Sequence, residues 1–335
     1  MIYKFDDKSL TAKVIHFKDF VEENNIIVPD RILYKGRDYV VTEIGERAFE
    51  GCTSIQSIVI PSSVTKIEKS AFSGCSALHY INIPASVTEI GALTFSDCTA
   101  LQSIVIPASV TKIECWTFSG CTSLQSINIP ASVTEIEAGA FEGCTALQSI
   151  DIPASVTKIE YNAFVHCASL QSIVIPESVT VIELLSFGGC ALQSIDIPKS
   201  VTKISERAFF YCTALQSINI PESVTKIERR VFMGCAALQS IDIPTSVTEI
   251  EDEAFSGCSA LQSIVIPASV TKIGSGAFSG LENLKSIAIL NLVPPEIAYS
   301  ICYIPPCTLY VPQEAVEEYS TREPWCNFKE IKGLE

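Results

Sequence analysis

Residues 101–123 read LQSIVIPASVTKIECWTFSGCTS, and close copies of this segment recur about eleven times along the 335-residue chain. Numbering from the leucine, its apolar residues are Leu101, Ile104, Ile106, Val110, Ile113, Phe118 and Cys121, at positions 1, 4, 6, 10, 13, 18 and 21. The run LxxIxI alternates as a short strand does with one face buried. Proline at position 7, from Pro61 to Pro267, ends that strand ten times, because proline has no N–H to give to a ladder. The following SVTxI is β-branched and predicts a second extended piece. The AFxGC segment predicts a tight turn or a single 3₁₀ turn.

The period is held by two columns. Cysteine stands at 52, 75, 98, 121, 144, 167, 190, 212, 235 and 258, and phenylalanine three residues ahead of each, continuing to Phe278. Every interval is 23 residues except the 22 that follow Cys190, where GGC-ALQS replaces GCTALQS. A lost residue there marks a turn, where length is cheap to change. One 23-residue piece buries too little to offset its ordering entropy, so the units must stack, which is the logic of a solenoid. The fold class expected is a repeat solenoid, mainly β, with short parallel strands and turn or 3₁₀ segments. The expected organisation is an N-terminal cap over 1–41, a solenoid over 42–290 and a C-terminal cap over 291–335.

Composition narrows the function. The chain has 23 Lys and Arg against 38 Asp and Glu, a net charge of −15 and a pI near 4.7, which argues against holding nucleic acid by its phosphates. With 47% hydrophobic and 18% charged residues it is not disordered, and no run of about 18 apolar residues predicts membrane insertion. Residues 1–15 hold no apolar leader core, so the expectation is either a cytosolic protein or a mature one whose signal has been removed. No N-x-S/T sequon occurs, so nothing hints at eukaryotic secretion. Three histidines (His16, His79, His166) and no GxSxG, HExxH, P-loop or GxGxxG leave no catalytic set, no metal site and no cofactor to expect.

The LxxIxI core, the proline, the SVTxI and the AFxGC of each unit resemble the BspA-like leucine-rich repeats, 23-residue units of bacterial and protist surface proteins. The resemblance covers about residues 42–290. It implies a right-handed leucine-rich-repeat superhelix capped at both ends. Residues 26–49 look like a first rung with an inserted hairpin turned near Lys35-Gly36. Residues 307–331 look like the family's C-terminal cap: a strand, Pro312 near the start of a short helix, then Trp325 and Phe328 over the last rung. The resemblance further implies a cell-surface or secreted binding or adhesion role toward a host or matrix protein or a glycan. A cytoplasmic setting also fits, since reduced thiols suit one.

Two sets of varying positions are candidate ligand-binding residues. Position 5 carries Asn82, Asn128, Asp151, Asp196, Asn219 and Asp242, a row that in such repeats faces the concave side. Positions 15 and 16 include Trp116, Tyr161, Leu184 and Leu185, which resemble interface anchors or else fold back on a neighbouring rung. These apolar loop residues also carry an alternative, a structural protein that self-associates. The laddered cysteines are expected to be buried thiols, with a cap disulfide among Cys302, Cys307 and Cys326 left open. Ser at position 9 and Thr at position 11 are read as two outward rows. Position 12 alternates Lys66, Glu89, Lys112, Glu135, Lys158, which would pair opposite charges on neighbouring rungs.

Overall fold

The computed structural model describes residues 1–17, 24–297 and 307–334. Contacts divide it into two compact units, 1–178 and 179–335, and each is a stack of parallel coils. Each full coil has a two-residue strand at positions 12–13, and most have a short strand around positions 3–5 that shrinks to a single bridging residue at Val105, Asn128 and Asp242. Both pair in register with the same positions of the next coil: Ser57↔Tyr80 and Lys112↔Glu135 in the first unit, Ser194↔Ser217 and Lys226↔Glu249 in the second. Pairing like with like puts each isoleucine of positions 4 and 13 over its counterpart, so the coil interior is filled by columns.

Proline closes the corner as expected. The carbonyl at position 7 accepts the position-10 amide of the same coil, as in Val87 to Pro84 at 3.0 Å and Val224 to Pro221 at 3.0 Å. The AFxGC arc is tighter than one 3₁₀ turn. Its odd positions bond within the coil (Cys98 to Phe95, 3.1 Å), while the amides at 16, 18 and 20 donate to the following coil (Trp116 to Ala138, Phe118 to Ala140, Gly120 to Glu142). That alternation forces left-handed backbone at positions 16 and 20. Position 20 is usually glycine, but position 16 is left-handed whatever its residue, including Leu93, Trp116, Leu185 and Arg230 at φ 53–60°.

Phenylalanine forms the central column. In the first unit Phe17, Phe49, Phe72, Phe95, Phe118, Phe141 and Phe164 stack at centroid spacings of 5.2–5.7 Å; in the second Phe187, Phe209, Phe232, Phe255 and Phe278 stack at 5.7–6.1 Å. The cysteines beside them are buried thiols, and within each unit they aim at the phenylalanine carbonyl of the preceding coil, as Cys121 Sγ to Phe95 at 3.1 Å and Cys235 Sγ to Phe209 at 3.2 Å. Burial pushes Cys98, Cys144 and Cys258 up to about 12.

The serine row corrects the sequence reading. Position 9 is half-buried, and its hydroxyl donates to the valine carbonyl of the preceding coil, as Ser132 to Val110 at 2.6 Å and Ser246 to Val224 at 2.7 Å. It faces the corner because the turn at proline needs a donor there. Only the threonines are outward, and their amides also go to the preceding coil, Thr134 to Thr111 at 2.9 Å.

The ends differ more from the repeat. At the N-terminus the strands Ile2–Asp6 and Thr11–His16 form an antiparallel hairpin that the sequence reading did not foresee. Thr11–His16 then runs parallel to Arg37–Ile44, and Phe17 extends the phenylalanine column. The inserted hairpin is present, Arg31–Tyr34 against Arg37–Ile44, with Lys35 and Gly36 both left-handed at its tip. At the C-terminus the strand Thr308–Pro312 leads into a 3₁₀ turn and the helix Val316–Thr321. Trp325 is buried, its Nε1 donating to Pro295 O at 3.2 Å, with Tyr319 and Phe328 against it. Cys307 and Cys326 are thiols; Cys302 lies outside the described residues.

The charge alternation pairs neighbouring coils at Lys66 and Lys112, whereas Lys158 turns to Glu160 of its own coil. Lys66 meets Glu89 at 2.8 Å, and Lys112 reaches both Glu135 and Glu137 at 2.7 and 2.8 Å, contacts that hold its ammonium well above the usual lysine range. These pairs are solvated, so Lys112→Ala is expected to cost only about 0.5 kcal/mol and to lose even that in high salt. Phe118→Ala, which opens a void in the column, should cost about 3–5 kcal/mol. Urea midpoints with and without 1 M salt (~1 M, several times physiological) measure the contrast. Thiol chemistry checks the column separately. The buried cysteines should resist a disulfide reagent at pH 8 (roughly the ordinary thiol range) until the chain unfolds, while half-exposed Cys115 and Cys326 react in the native state, as mass mapping of labelled peptides would show.

Candidate binding surface

The alternation of the 3–5 strand sends positions 4 and 6 inward and position 5 out, so every residue of that row is exposed. In the first unit Val59 lies beside Asn82, and Val105, Asn128 and Asp151 follow one another in register. The row there is of mixed chemistry, with Val105 75% exposed between polar neighbours. In the second unit Asp196, Asn219 and Asp242 stand side by side on consecutive coils, an uninterrupted carboxylate–amide–carboxylate stripe. The six polar position-5 residues singled out from sequence are thus solvent-facing, three in each unit.

The position 15–16 candidates separate. Trp116 is held by the left-handed backbone over Gly139, whose missing side chain makes room for the indole; a Cβ there would lie 2.3 Å from Nε1. Its Nε1 donates to Glu142 Oε2 at 3.3 Å, so the ring is half-buried against the next coil. Leu185 is half-buried as well. Tyr161 and Leu184 remain exposed, at 41% and 37%. The sequence-level choice between anchor and folded-back side chain therefore resolves residue by residue.

A second feature was passed over in the sequence. Position 8 is Ala85, Ala108, Ala131 and Ala154 on four coils of the first unit and Glu177 on its last, then Lys199, Glu222 and Thr245 on three consecutive coils of the second. With these longer side chains on one side and Asn219 and Asp242 on the other, a groove of about 550 Å³ opens over Pro221 and Pro244. Glu222 Oε2 accepts from the Thr245 hydroxyl at 3.5 Å along its outer wall. The break in the alanine run was the available signal.

Among the described residues no group of three or more His, Cys, Asp and Glu side chains could hold a metal, and no helix is long and apolar enough to cross a membrane. His79 is an exposed ring whose Nδ1 lies 2.6 Å from Ala77 O, and His166 occupies a left-handed turn position. Neither has a nucleophile or a carboxylate poised beside it for acid–base work.

A family model described as the BspA-type leucine-rich repeat region matches in six copies, over residues 38–114, 93–213 and 182–296. Among solved structures, a leucine-rich repeat protein from Bacteroides ovatus is 29% identical, with 100% of this chain and 98% of that one covered and a TM-score of 0.70. A leucine-rich cell surface protein from Faecalibacterium prausnitzii is 34% identical over 86% of this chain and 92% of its own, with a TM-score of 0.59. The pneumococcal vaccine antigen PcpA, at 21% identity, 96% and 92% coverage and a TM-score of 0.63, shares the fold. No curated protein is significantly similar in sequence. With the family model spanning more than half its residues, the chain belongs to the BspA-type leucine-rich repeat family.

Proposed function

We propose that this chain is a non-enzymatic binding scaffold of a bacterial cell surface or secreted protein, of adhesin type, recognising a host or matrix protein or a glycan. The observation that carries the reading is a division of labour within each coil. Backbone amides, the position-9 hydroxyls and the cysteine thiols are turned to neighbouring coils, while the side chains at positions 5 and 8 project and differ from coil to coil. A fixed frame with variable exposed side chains serves recognition, because little ordering cost falls on the moment of binding. The surface location is supported by the similarity to the F. prausnitzii cell surface protein. The exposed Tyr161 and Leu184 favour a second reading, association with further copies, and light scattering over a concentration series separates it from a monomeric binder.

The test is a matrix-protein and glycan array probed with the purified chain, repeated with Asp151→Asn, Asp196→Asn and Asp242→Asn combined. These exposed, near-isosteric changes should leave the melting curve in place and weaken a ligand of the strand face by about tenfold. A ligand bound equally by both proteins would move the site off this row. A chain that binds nothing and stays monomeric would end the adhesin reading.

A further inference from the structure

We propose that the groove over Pro221 and Pro244 takes an extended, basic segment of a partner protein and seats an arginine or lysine side chain between Glu222 and Asp242. This rests on the binding reading above and names its site and ligand chemistry. The groove is confined to three coils. Its outer wall is built by Lys199, Glu222 and Thr245 at position 8, and the next coil returns to Ala268. Two coil spacings are about 10 Å, the length of roughly three extended residues. The inner wall coincides with the part of the position-5 row where Asp196, Asn219 and Asp242 are not interrupted by valine.

The lining chemistry selects the occupant. A floor of proline between carboxylates on opposite walls suits a side chain with an aliphatic stem and a cationic head, which buries the one and pairs the other. The threonine bond holds Glu222 along the wall in advance. Lys199 at the first coil repels a second cation, so the basic residue belongs at the Asp242 end and the segment has one direction. The chain's net charge of −15 draws a basic partner from a distance, in a salt-dependent way.

The probe is a fluorescent peptide with one arginine, Gly-Val-Ser-Arg-Ser-Val-Gly, compared with its glutamate counterpart by anisotropy against the full chain. The arginine peptide should bind and the glutamate peptide should not. Glu222→Gln with Asp242→Asn should weaken binding by about tenfold, while Glu314→Gln with Glu317→Gln in the C-terminal helical segment, an equal loss of two exposed charges, should leave it unchanged. Amide shifts in labelled protein should cluster at 219–223 and 242–246. Equal binding by the double variant, or shifts spread over carboxylates elsewhere, would overturn the assignment. So would an uncharged oligosaccharide that moves the same amides in wild type and double variant alike. If an array ligand is bound normally by the double variant, the groove assignment fails and the scaffold reading stands. If the array finds no ligand yet the arginine peptide binds with these dependences, the groove stands and the adhesin reading fails.

Discussion

Each coil donates backbone hydrogen bonds in both directions: backward from threonine at position 11 and from position 14, forward from positions 16, 18 and 20. No coil closes its own backbone hydrogen bonding, so the smallest satisfied object is a stack. This two-way ladder fixes the spacing between coils near that of paired strands. Every side-chain column is a consequence of that spacing. Phenylalanine rings meet at 5.2–6.1 Å because their backbones are held there, and the charged residues at position 12 meet their neighbours for the same reason. The caps solve the terminal problem with different chemistry, a hairpin feeding Phe17 into the column at one end and Trp325 under a short helix at the other.

Within that ladder the choice of cysteine at position 21 has a physical account. The site is buried and lies within reach of the preceding phenylalanine carbonyl, so it favours a small apolar side chain that can still donate weakly. Serine at position 9 does the stronger version of the same task at the wetter corner, where its hydroxyl meets a valine carbonyl. Ser63 and Ser269 are the two in that column whose buried hydroxyls find no partner among the described residues.

Much of the fold was legible because a repeat averages its own noise: ten prolines in step define a strand end that one proline only suggests. The paired charges of position 12 were legible from local chemistry, whereas the hairpin at Lys35-Gly36 and the places of Pro312 and Trp325 were implied by the family resemblance. The first hairpin was not, since residues 1–16 carry neither the leucine nor the cysteine of the repeat, and their place depends on pairing with a strand some thirty residues on (Thr11 with Val40). The serine orientation was misread because alternation cannot be carried through a proline corner. At the surface, which residues project at position 5 followed from the strand period. The fate of Trp116 did not, because it depends on the glycine one coil further on.

The left-handed residue at position 16 has an effect on what the protein can become. Its backbone geometry is imposed by hydrogen bonds from the coil itself and from the one beyond, and arginine, serine, leucine, tryptophan, asparagine and glutamate all submit to it. Each departs from the glycine optimum by a similar conformational strain, about 1–2 kcal/mol. Exchange among them leaves that backbone strain nearly unchanged, so where the side chain does not pack on its neighbours, as Trp116 does over Gly139, the outer arc can be rewritten without disturbing how the chain winds.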